Sequence, residues 1–133
     1  MSRSPSFDLQ VAVRNTLLAS DAVKAFVATR VYDSVKAGPF PYIHLDDDFI
    51  SGEQGSGEFY RCDVNVHVYA AGPATAQVRQ LCDAVAEALD TTLVLNNFTC
   101  HETFVMYTHP VRDPDGTTQH RVVRMQYLVQ ATD

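Results

Sequence analysis

The residues with most chemical potential stand at His44-Leu-Asp46-Asp47-Asp48. His44 and Asp46 fall at alternate positions, so on a strand they would share one face. With Glu53 or Glu58 they would offer oxygen ligands to a hard divalent cation. Calcium loops, however, hold their ligands at fixed spacing with a Gly at the bend, and this run lacks that spacing. The pattern favours a solvated acidic strand end, with no resident metal.

The five histidines, at 44, 67, 101, 109 and 120, are spread over four expected strands. Two or three of them meeting across a sheet would suit a transition metal. No pair shows the i, i+4 spacing of a helical site. Strand histidines on mixed faces are usually partly exposed polar residues. A pH-responsive interface is the other use of such a set.

Cys62, Cys82 and Cys100 are odd in number and form no CxxC pair, which speaks against a disulfide scaffold. A Cys–His pair can make a nucleophile. Cys62 and Cys82 fall on apolar faces, however, and read as core. Cys100 is followed by His101, and neighbours on a strand point to opposite sides. Gly52, Gly55 and Gly57 do not precede a helix, so they present no helix N-terminus to a phosphate. The chain has no P-loop, no GxGxxG after a strand, no GxSxG and no HExxH. These observations predict no catalytic centre and no cofactor.

The elements that would position these groups follow from the periodicity. Residues 1–7 resemble a short arm. Leu9, Val13 and Leu17 recur at helical spacing, with Ser6 or Asp8 placed as cap. Ser20 is placed to cap a second, short helix carrying Val23, Phe26 and Val27 on one face. A β-like run at 30–35 and a Gly38-Pro39-Phe40-Pro41 break precede a strand from Tyr42 to Asp46. Residues 46–58 hold three glycines and five carboxylates and are expected to form a mobile acidic loop.

The clearest strand covers 59–70. Tyr60, Cys62, Val64, Val66, Val68 and Ala70 share one side; Phe59, Arg61, Asp63, Asn65, His67 and Tyr69 share the other. After Gly72-Pro73, the stripe Val78, Leu81, Cys82, Val85 and Leu89 predicts a helix to about Leu89. Two strands near 101–109 and 118–130 flank the turn signal Asp113-Pro-Asp-Gly116. The expected fold is α+β: a mostly antiparallel four- to five-stranded sheet with two main helices on one face. Residues 8–133 are expected to form one domain.

The bulk properties narrow the function further. The chain has 133 residues, 46% hydrophobic and 20% charged, a globular profile. Its formal net charge of −6 disfavours nucleic-acid binding through counterion release. No apolar run approaches the roughly 20 residues needed to span a bilayer. The N-terminal segment lacks the apolar stretch of a secretory signal, so a cytoplasmic protein is expected.

The order of these features resembles the tail completion, or tail terminator, proteins of long-tailed bacteriophages and phage-derived gene transfer agents. The matching pieces are 9–18 with its continuation Leu18-Ala-Ser-Asp-Ala-Val23, then Arg30-Val-Tyr32 and Phe40-Pro41-Tyr42-Ile43. A Gly-rich loop, the strand 62–69, the helix 74–89 and a two-stranded end complete the series.

The resemblance implies a structural virion protein and no enzyme. Such subunits form a ring, expected to be hexameric, that caps the tail tube, ends its polymerisation and offers the head or neck an attachment surface. The implied partners are copies of the chain, the tube protein and a connector or neck protein, with DNA passing through unbound and no membrane. The protein would start in the cytoplasm of the producing bacterium and end in the particle tail. Asp46, Asp47, Asp48, Glu53 and Glu58 would face the channel. Phe59, Arg61, Asp63, His67, Tyr69 and Arg124 would lie at subunit contacts. The alternatives are a connector or neck protein, a small ligand-binding or enzymatic α+β domain with a pocket, and a homodimeric interaction module.

Overall fold

The computed structural model describes residues 4–34, 38–52 and 57–132, with Asp46 and Asp47 described by their backbone alone. The chain opens with α1 (Ser6–Ala19) and α2 (Asp21–Val27). Leu9, Ala12, Val13 and Leu17 form the buried stripe of α1. Its N-cap position is Pro5, which makes no side-chain cap; the capping expected from Ser6 or Asp8 is not made, because both lie inside the first turn. Ser20 serves both helices. Its N–H reaches the Leu17 carbonyl at 3.1 Å, and its Oγ accepts the Val23 N–H at 3.2 Å. That cap satisfies one of the orphan donors at the start of α2.

The sheet has five strands: β1 (Val31–Tyr32), β2 (Tyr42–Gly52), β3 (Phe59–Ala70), β4 (Phe98–Arg112) and β5 (Gln119–Ala131). Their spatial order is β1-β2-β3-β5-β4. The short β1 lies parallel to β2, and all other pairs are antiparallel. Helix α3 (Ala76–Leu89) crosses from β3 to β4 and buries Val78, Leu81, Cys82, Val85 and Leu89. It starts two residues later than the resemblance suggested; β4 extends beyond 101–109 at both ends, and β5 is shifted by one residue from 118–130. The α+β fold is the one expected.

The core lies between the three helices and one sheet face. Ile43, Leu45, Cys62, Val64, Val66, Val68, Val123, Met125, Tyr127 and Val129 line that face. Each fully buried Leu, Ile or Val contributes about 1.5–3 kcal/mol relative to exposure. Tyr127 also buries its hydroxyl, which donates to the Leu89 carbonyl at 3.0 Å and fastens β5 to the end of α3. Gly72, in the β3–α3 connection, packs directly on the Thr117 carbonyl of the β4–β5 turn.

One expectation is corrected. The acidic stretch at 46–58 is mostly strand: β2 runs on to Gly52, with Asp48 paired to Val64, Ile50 to Cys62 and Gly52 to Tyr60. A register shift between Leu45 and Asp47 absorbs an extra residue. Cross-strand pairing with β3 overrides the poor strand propensity of the Asp run. The expected loop therefore shrinks to the segment after Gly52, of which 53–56 lie outside the described residues.

Candidate functional site

Among the described residues no helix covers the sheet face opposite α1, α2 and α3, although His44 and Val122 on it are buried. Register brings its side chains into rows across the strands. Tyr42 pairs with Tyr69, and Tyr69 with His120. These rings stack, with centroids 4.8 Å apart for Tyr42–Tyr69 and 4.2 Å for Tyr69–His120. Phe40 continues the stack at 5.6 Å from Tyr42. Aromatic pairs of this kind contribute about 0.5–1.5 kcal/mol beyond area burial. The next row holds His44, His67, Val122 and His109.

Between these rows His67 Nδ1 lies 2.9 Å from His120 Nε2. One imidazole donates and the other accepts, so at least one is neutral. Burial and the neighbouring His67, His44 and His109 push the His120 pKa down to about 4, against the opposing pull of Asp113. The sequence scattered these histidines over four strands; the sheet gathers four of them, His44, His67, His109 and His120. Among the described residues, no group of three His, Cys, Asp or Glu is placed to hold a metal ion.

The middle of the face is polar and tied together. Arg124 Nη2 stands 3.2 Å from Asp63 Oδ2, and Gln126 Nε2 donates to Asp63 Oδ1 at 3.0 Å. Arg61 Nη1 donates to Gln126 Oε1 at 3.2 Å. Arg124 also lies 5.9 Å from the Tyr107 ring centroid, within cation–π range. At the far end Phe59 packs against His101 at 5.6 Å, and His101 Nε2 meets Gln130 Oε1 at 2.8 Å. Phe59, Arg61, Asp63, His67, Tyr69 and Arg124, the six residues expected at subunit contacts, thus occupy one continuous face. The period of two reveals in the sequence the grouping of the five on β3, and register with β5 adds Arg124. That period does not reveal Tyr42, His44, Tyr107 and His120, which join the face only through strand register.

The five carboxylates expected at a channel are not gathered in one described loop. Asp48 stands in β2, exposed, and accepts from Ser6 Oγ at 2.6 Å. Glu58 is exposed just before β3, with a left-handed φ of 53°. The side chains of Asp46 and Asp47, and all of Glu53, lie outside the described residues.

Nucleophilic chemistry finds no footing. All three cysteines are buried. Burial, with Asp48 and Asp63 nearby, pushes the Cys62 thiol up to about 12. Burial also raises Cys82. Reactive thiolates need the opposite environment. A cleft between α1 and β2, lined by Leu9, Val13, Leu45 and Asp48 among others, holds only about 140 Å³. Small-molecule pockets typically span about 300–1,000 Å³; a hollow of about 540 Å³ beside Gly57, Glu58, Thr99 and Gln130 reaches that size but is shallow and open to solvent.

The model of the family "Tail completion protein gp17" matches residues 11–130. Solved structures share the fold, these two among them. A chain described as "Virion of native gene transfer agent (GTA) particle" superposes with a TM-score of 0.88 at 23% identity, covering 98% of this chain and 100% of that one. The gp17 protein of bacteriophage SPP1 superposes with a TM-score of 0.61 at 23% identity, covering 92% of this chain and 88% of that one. No curated protein matches the chain. The family match spans most of the sequence and accords with a fold that offers a broad contact face and no reactive thiolate. The chain belongs to the gp17 family of tail completion proteins, structural virion proteins and not enzymes.

Proposed function

We propose that copies of this chain, six in number, form a ring that caps the finished tail tube, ends its polymerisation and presents a surface to the head or neck. The observation that carries this reading is the open sheet face, twelve residues long on β3, whose aromatic and charged side chains are preorganised by mutual contacts. Aromatics and Arg are enriched where proteins meet. On this reading Phe59, Arg61, Asp63, His67, Tyr69 and Arg124 meet neighbouring parts of the particle, copies of the chain among them.

A ring of six would carry a formal charge of −36, six times the −6 of one chain. With Asp46, Asp47, Asp48, Glu53 and Glu58 turned to the channel, the carboxylates would repel passing DNA and keep it from sticking. Neutralising all five should slow DNA transfer; unchanged transfer would remove the channel assignment.

Deleting the gene from the producing strain tests the main reading. Tails of uncontrolled length without heads are expected, restored to normal by the purified protein. Tails of normal length that merely lack heads would favour the connector reading. Normal, infectious or gene-transferring particles would overturn both.

A further inference from the structure

We infer that neighbouring copies join edge to edge, the outer edge of β4 in one copy pairing antiparallel with the free edge of β2 in the next. This rests on the ring reading and specifies its seam. β4 is the terminal strand of the sheet and is the barest of the long elements. The connector after α3 closes on its start, through the Val94–Thr99 bridge and the bond from Thr103 Oγ1 to the Thr91 carbonyl at 2.8 Å, whereas from Phe104 on β5 is the element packed closely on it among the described residues. Phe104, Val105, Met106 and Tyr107 are consecutive and all exposed, Phe104 by 48% and Met106 by 47%. A register shift between Val105 and Tyr107 makes Met106 the extra residue there. Val105 faces the helical layer by register, Tyr107 the open side. A stretch of edge strand as exposed as 104–109 is a template for another strand.

The opposite side of the sheet supplies the match. β1 pairs only with Ile43 and His44, so among the described residues no strand covers the β2 edge from 45 to 52. Phe49 on that stretch is 65% exposed. Within one sheet β2 and β4 run in opposite directions. Rotation about an axis along the strands preserves direction, so the β4 and β2 of successive copies meet antiparallel. That contact uses two different patches and therefore propagates, closing when the rotation permits. Pairing β4 with β4 would stop at a dimer.

The sequence of the two edges is compatible with the same alignment. Setting Phe49 opposite Tyr107 puts the backbone of 46–48 opposite 108–110, a stretch that contains His109 and no carboxylate. Pro110 limits the ladder at that end, since proline on an edge strand has no N–H to give. Apolar contact and main-chain pairing would then lie over 104–109.

Thiol cross-linking on the assembled particle tests this. The native cysteines are buried, so Phe49→Cys and Tyr107→Cys introduce the accessible thiols. Each full-length variant, and their mixture, is added to tail tubes from particles lacking the protein, then treated with a short thiol cross-linker. Only the mixture should give linked dimers, and the double variant should give a ladder of higher species. Met106→Lys, if it melts like the parent, should lose multimers on tubes. Dimers from Tyr107→Cys alone, multimers kept by Met106→Lys, or several copies per tail without the mixed cross-link would overturn the seam. Copies per tail, counted by mass spectrometry, separate the two levels: a single copy would defeat the ring itself.

Discussion

His67 and His120 face each other across β3 and β5, Nδ1 to Nε2, at 2.9 Å. The pair is stable only while one ring stays neutral, and His120 is held neutral by its half-buried position among His67, His44 and His109. Unfolded, His120 takes up a proton near pH 6.5; folded, it does so only near pH 4. Between those values the unfolded chain binds more protons, so folded-state stability falls as pH drops through that window. Below about 4 this group causes no further loss. After discounting for solvent at a half-open site, the loss is on the order of 1–2 kcal/mol. Urea unfolding at neutral pH and near the lower end of the window should show this loss in the parent and less of it in His120→Gln. Equal losses in both proteins would reject the assignment.

How much of this was legible beforehand depends on the residue. Alternation from Phe59 to Ala70 displayed both faces of β3, because a half-buried strand must alternate. The Ser20 cap was legible because Ser side chains accept from the N3 amide. Asp46 to Asp48 and the following glycines resembled a loop, yet pairing with β3 draws the chain to Gly52 into the sheet. The His67–His120 contact joins residues 53 apart in sequence, and only register decides it. The bareness of β4 was likewise hidden. Both C-terminal strands read alike in the sequence, and only the spatial order makes β5 central and β4 an edge.

Tyr127, the largest fully buried side chain among the described residues, makes one hydrogen bond, from its hydroxyl to the Leu89 carbonyl at 3.0 Å. Burial moves its phenol far above its ordinary pKa, so it remains a donor throughout the accessible range. Tyr127→Phe keeps the ring and leaves the Leu89 carbonyl without that donor. A cost of about 1–3 kcal/mol is expected, typical for an unsatisfied buried acceptor. Chemical denaturation should show a lower midpoint with an unchanged slope. A slope change would mean that the substitution altered compactness instead.

The cysteines should be silent until the fold opens. Cys62, Cys82 and Cys100 are all buried, and burial holds the Cys62 thiol at about 12. At mildly alkaline pH an alkylating reagent should therefore label native protein far more slowly than urea-unfolded protein. Mass spectrometry can follow each site. Rapid labelling of Cys62 in the native state would show that β3 opens locally.

The contact between Gly72 and Thr117 ties the start of the helical crossover to the far turn of the sheet. A Cβ built at Gly72 would lie 1.7 Å from the Thr117 carbonyl oxygen and 2.8 Å from its carbon. Both are backbone atoms, so no side-chain rotation relieves the clash. Gly72→Ala must push the β3–α3 connection away from the β4–β5 turn. A loss of roughly 2–4 kcal/mol is expected, at the upper end for overpacking because backbone must move. Gly52→Ala is the control: its Cβ would meet nothing within 4 Å. That variant should change stability by less than about 0.5 kcal/mol, as ordinary surface changes do. The two alanines together separate crowding from any general effect of losing a glycine. If both variants melt alike, the approach of Gly72 to Thr117 does not hold these two connections together.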